Sequence, residues 1–141
     1  MWKCALILLS ICAVSSCDLS DANNEFALNL YASLADVVDT GNLFFSPLSI
    51  SLALGMTRAG AAGDTKSQMS QVMALDEMVD GDVLPSFKTL IEALNREDKN
   101  YTLNIANRLF GRQDYVFEEA FLKETRDFFM SELKELDFVK D

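Results

Sequence analysis

The chain has 141 residues, room for one domain of ordinary size, and its 22 acidic against 12 basic side chains give a formal charge of −10. That balance argues against nucleic acid and against an anionic membrane surface, both of which are held through clustered Lys and Arg. Half the residues are apolar, enough to bury a core, while the absence of histidine and the confinement of cysteine to Cys4, Cys12 and Cys17 remove Ser-His and Cys-His nucleophiles and the common zinc sites. An enzyme built on carboxylates, Lys or Tyr stays open, but no residue pattern points to one. No catalytic residue, metal or cofactor is expected.

Met1-Trp2-Lys3 carries one positive charge, Ala5 to Val14 is apolar apart from Ser10 and Cys12, and Ser15-Ser16-Cys17 places small residues before Asp18. This is the pattern of a secretory signal peptide. The apolar run is too short to cross a hydrocarbon core, which takes about 20 helical residues. The expectation is a signal peptide over 1–17 and a secreted, extracellular product. Two other readings are a buried N-terminal helix or strand of a cytosolic protein, and a bacterial lipobox at Val14 to Cys17. Unless Cys17 is lipidated, no membrane partner is expected. Asn100-Tyr101-Thr102 is a glycosylation sequon, meaningful at Asn100 only for an exported chain.

From Asp21 to Asp39, Phe26, Leu30, Leu34 and Val38 share one helical face, and Asp39 to Asn42 reads as a turn. Leu43-Phe44-Phe45 is a candidate buried strand. Ser46-Pro47 predicts an N-cap followed by proline at the first helical position, where no N–H is needed. The helix it opens, about Pro47 to Ala59, mixes large apolar residues with Ser49, Ser51, Ala53 and Gly55, and should be central. Nearly apolar all round, it should need covering by sheets, and on that reading the isolated product is molten or aggregation-prone.

Gly60 to Gly63 ends that helix, and Thr65 to Gln68 has capping-box spacing for the next, with Met69, Val72 and Met73 facing inward. Asp80-Gly81-Asp82 predicts a loop before a helix from about Pro85 to Leu94, with Phe87, Leu90, Ile91 and Leu94 on its inner face. Tyr101 to Phe110 alternates as a strand, and Gly111 should turn the chain. A helix over Glu118 to Phe129 and a strand over Glu132 to Phe138 follow. Three short strands so far apart do not obviously make one sheet, which predicts a piece of a larger fold mixing α and β.

The run Asn42-Leu-Phe-Phe-Ser46-Pro47-Leu-Ser49-Ile-Ser-Leu-Ala-Leu-Gly-Met56, with Gly60 and Asp64-Thr65 after it, strongly resembles the strand-to-helix-B segment of the serpin family. A second stretch, Leu103 to Gly111 with Tyr115, Phe117, Leu133 and Asp137-Phe138, is similar to the family's run through strand 2A, helix E and strand 1A. The resemblance implies an α+β architecture, the multi-domain serpin fold, of which 18–141 would be the N-terminal part: helices A to E and strands 6B, 2A and 1A. It also implies the family's activity, suicide inhibition mostly of serine proteases, in which a cleaved reactive loop inserts into a sheet.

That loop has no counterpart here, so the complete protein would meet a serine protease and this chain alone is expected to be inactive. Asn42, Ser46, Pro47 and Ser49 match the family's shutter region, where small hydroxyls let the sheet open. An N-cap, a helix-opening proline and close packing account for the same residues. Many serpins bind heparin through basic residues on helix D; the matching stretch 85–99 sets Lys88, Arg96 and Lys99 against Glu92, Glu97 and Asp98, and no heparin site is expected. The alternatives are a small secreted binding module that joins a complementary serpin fragment through open strand edges, and a lipidated bacterial surface serpin fragment.

Overall fold

The computed structural model describes residues 18–38, 41–96, 105 and 107–139. Its elements are α1 (Leu19–Ala35), α2 (Pro47–Ala59), α3 (Gly63–Val72), α4 (Asp80–Leu94), β1 (Leu109–Arg112), α5 (Glu119–Phe129) and β2 (Leu133–Leu136).

Helix α2 is the centre: α1, α3, α4 and α5 all pack on it. Leu52 and Met56 enter the core from α2, Leu19 and Ala22 from α1, and Val83, Phe87 and Ile91 from α4. The residues α2 leaves exposed include Ser49, Ala53 and Thr57. Helices cover Leu52 and Met56, while Leu48, Ile50 and Leu54 stay part-buried. The small residues still act as predicted: a Cβ on Gly55 would lie 2.9 Å from the Phe87 ring and 3.1 Å from that of Phe129.

Several boundaries differ from expectation for local chemical reasons. Helix α1 starts at Leu19 because the Asp18 carboxylate accepts from the amides of Ser20 (2.8 Å) and Asp21 (3.0 Å). It stops at Ala35, and Val37, at 81% exposure, has no core to face. Helix α3 begins at Gly63, whose φ of +55° turns the chain directly into the helix. Its N-cap Ala62 makes no side-chain bond, so Thr65 lies inside the helix and the predicted capping box does not form. Asp80-Gly81-Asp82, predicted as a loop, is the first turn of α4, and Pro85 lies within that helix.

Strands β1 and β2 pair in parallel, Leu109 opposite Leu133 and Arg112 opposite Leu136. Helix α5 is the crossover that parallel pairing requires. Two of the three predicted strand segments thus share one sheet, of two strands among the described residues. Gly111, predicted to turn the chain, lies inside β1, where a Cβ would come within 2.6 Å of the Phe117 ring and 2.8 Å of Leu133. No strand forms at Leu43-Phe44-Phe45: Phe44 is 98% exposed, and among the described residues the only sheet is the β1–β2 pair, which offers this segment no ladder. Of the strand predicted from Tyr101, residues 101–104 and 106 lie outside the described part.

Candidate functional site

Of the residues predicted for the shutter, Ser46, Pro47 and Ser49 lie at the start of α2, and Asn42 lies in the segment before it. Ser46 has extended backbone and caps the helix: its Oγ accepts from the Ser49 amide at 3.4 Å and donates to Ser49 Oγ at 3.0 Å. Pro47 occupies the first helical position, as its missing N–H and fixed φ favour. Asn42, Ser46 and Ser49 are exposed and Pro47 is half-buried. The geometry is that of a helix cap whose two hydroxyls face open space. Asn100 lies outside the described residues.

A second constellation, around Arg58, went unpredicted. Arg58 is the only charged residue of α2 and is 4% exposed. Burying a guanidinium demands partners, because an unpaired buried charge loses its hydration without compensation. Arg58 Nε donates to Ser70 Oγ on α3 at 2.8 Å, and Nη2 donates to Asp80 Oδ1 at the start of α4. Lys66 Nζ, one turn before Ser70, donates to the other Asp80 oxygen at 2.8 Å. Ser70 Oγ donates in turn to the Lys66 carbonyl at 2.9 Å.

One carboxylate thus serves two cations from two helices. The Lys66 bond first, and the Arg58 bond second, hold the Asp80 carboxyl below the usual carboxylate range, outweighing the small opposing effect of burial. Asp80 is ionised at neutral pH and acts as a counter-ion, not as an acid or base. The signal that could have exposed this site is a lone Arg among the small and apolar residues of a central helix.

Aromatic residues form a third feature. Tyr115 meets Phe117 edge-on at 4.8 Å between ring centroids, and Phe117 stacks near Phe121 at 6.4 Å. They line an open groove with Thr57, Gly60 and Met69. Among the described residues no group of three or more Cys, Asp or Glu is placed to hold a metal ion, and no helix is long and apolar enough to cross a membrane.

Comparison with known proteins gives these sites their setting. The family model described as Serpin (serine protease inhibitor) matches residues 21–141. Human Serpin B8 is 42% identical over 124 residues, 88% of this chain and 33% of that protein. Serpin B6 of Bos taurus is 44% identical over 86% of this chain and 32% of its own length, and the Bos taurus leukocyte elastase inhibitor is 39% identical over the same shares. The chain therefore spans about a third of the curated relatives it matches. Among solved structures, cleaved kallistatin complexed with heparin superposes with a TM-score of 0.78 at 30% identity, covering 84% of this chain and 36% of kallistatin.

These relatives correct the expected compartment. Serpin B8, Serpin B6 and the leukocyte elastase inhibitor are intracellular serpins, which points against a secreted, extracellular protein. Residues 1–17, on which that expectation rested, lie outside the described part. With the fold, the α2 start and the family model in agreement over 21–141, the chain belongs to the serpin (serine protease inhibitor) family.

Proposed function

We propose that this chain supplies the N-terminal helical scaffold of a serpin-type inhibitor of serine proteases and, taken alone, inhibits none. The observation that carries the proposal is coverage: the family match runs over 21–141, yet the chain corresponds to only 33% of human Serpin B8. The segment resembling the reactive loop, which the family presents to a protease, has no counterpart among these residues. The proposal includes no catalytic activity of the chain's own.

On the same reading, Asn42, Ser46, Pro47 and Ser49 are the shutter residues of the complete protein. Their support is the exposed Ser46–Ser49 hydroxyl pair at the head of the central helix. The stretch 85–99 would not serve as a heparin site, because Lys88, Arg96 and Lys99 are balanced by Glu92, Glu97 and Asp98.

The test is to incubate the 141-residue chain with elastase-like, trypsin-like and chymotrypsin-like proteases. The expected result is full protease activity and no detergent-resistant complex. A covalent complex with any of the three would overturn the reading.

A further inference from the structure

We propose that the first turn of α4, Asp80 to Leu84, is a latch: a weakly helical segment held shut by the Asp80 carboxylate against the buried guanidinium of Arg58.

The weakness of the turn is written in its residues. Its N-cap, Val79, offers no side-chain acceptor; the Asp82 amide reaches the Val79 carbonyl at 2.8 Å, but no side chain caps the amides of Asp80 and Gly81. Gly81 follows, with maximal backbone freedom to lose, and a Cβ there would meet nothing within 4 Å. Pro85 then lies inside the helix and has no N–H for the carbonyl of Gly81, removing one rung of the ladder at the end of the turn. Within Asp80 to Leu84 only Val83 is buried in the core. Past Pro85 the helix is anchored differently, by Phe87 and Ile91.

What closes the turn is charge. Asp80 is reached by Arg58 from α2 and Lys66 from α3, and Glu124 of α5 lines the same cleft, which has a volume of about 320 Å³. Arg58 cannot follow Asp80 outward, because its side chain is 5% exposed and also tied to Ser70. The guanidinium is thus the fixed half of the latch and Asp80 the moving half. Opening uncovers the Leu84, Pro85 and Phe128 side of the cleft while the rest of α4 stays seated.

Hydrogen exchange of the whole chain at neutral pH tests this. Asp80→Asn should speed exchange of the amides of Asp82, Val83 and Leu84 by about tenfold or more beyond any change at Ile91 to Leu94. Gly81→Ala should slow the same three amides and restore much of their protection when combined with Asp80→Asn. Unchanged exchange in Asp80→Asn, or acceleration spread evenly to Leu94, would overturn the latch. Gly81→Ala without effect on the three amides would do the same. Retained far-ultraviolet helicity in each variant shows that the readout is local.

Discussion

In the helical body, packing is reciprocal: Phe87 of α4 seats against the space left by Gly55 of α2 and meets Phe129 of α5 at 5.2 Å between ring centroids. One side chain there joins three helices. In the β1–α5–β2 unit, Gly111 is covered by Phe117 and Leu133, and the two strands, four residues each, have only one another as ladder partners among the described residues. The first region is tied from several sides and the second from few. Small residues matter in both, but at Gly55 they admit the core, whereas at Gly111 they admit a lid over an otherwise marginal pair of strands.

The sharpest way to break this contrast is Phe87→Ala. Removing a fully buried ring between three helices should destabilise the chain by about 3–5 kcal/mol, seen as a large drop in the urea midpoint, with loss of structure in both regions. A loss under about 1 kcal/mol would mean the body is not built around that ring.

Gly111→Ala comes next, at about 1–3 kcal/mol, since the new methyl must displace the ends of Phe117 and Leu133. Its effect should stay local: amides of β1 and β2 lose protection while those of α2 and α4 keep theirs. Equal loss in both regions would show that the two are one cooperative unit.

Asp80 sharpens the comparison from the side of charge. Its folded carboxyl titrates below the unfolded value of about 3.9, so the stability it confers is fully present above that value and is lost as pH falls through the folded one. Because the carboxylate is 61% exposed and screened by water, Asp80→Asn should cost only about 1–2 kcal/mol at neutral pH. Denaturation of wild type and variant should converge in strong acid. A gap independent of pH would assign the effect to packing.

The smallest effect belongs to Ser46→Ala, about 1 kcal/mol from the lost cap of α2, read as a shift of the thermal midpoint. Pro47 at the next position keeps the start of the helix in place.

Local chemistry explains which parts were legible in advance. The bounds of α2 follow from Ser46-Pro47 and Gly60, signals that act within one turn, and the observed helix matches them. A helix at α5 was readable because Phe121, Leu122, Thr125, Phe128 and Phe129 recur at helical spacing, and of these Thr125 and Phe129 are buried. Elsewhere a distant partner outweighed the local signal. Asp80-Gly81-Asp82 has loop composition, yet Arg58 and Lys66 draw it into a helix. Gly111 has turn character, but Phe117 needs the room above it. The pairing of β1 with β2 reaches across the whole of α5 in sequence, which no window of a few residues contains. At the α2 start, the Ser46 cap and the place of Pro47 were legible, but the exposure of the two hydroxyls was not. The Arg58 network was missed because its partners lie 12 and 22 positions away.

The parallel register of β1 and β2 has a kinetic consequence. Leu109 cannot meet Leu133 until the whole intervening segment has folded back, so the entropy of closing that loop is spent before any rung of the ladder forms. The sheet is therefore expected to assemble after α5 has seated on α2 and α4. In a stopped-flow refolding experiment, substitutions at Gly111 should chiefly speed unfolding, whereas those at Phe87 should also slow folding.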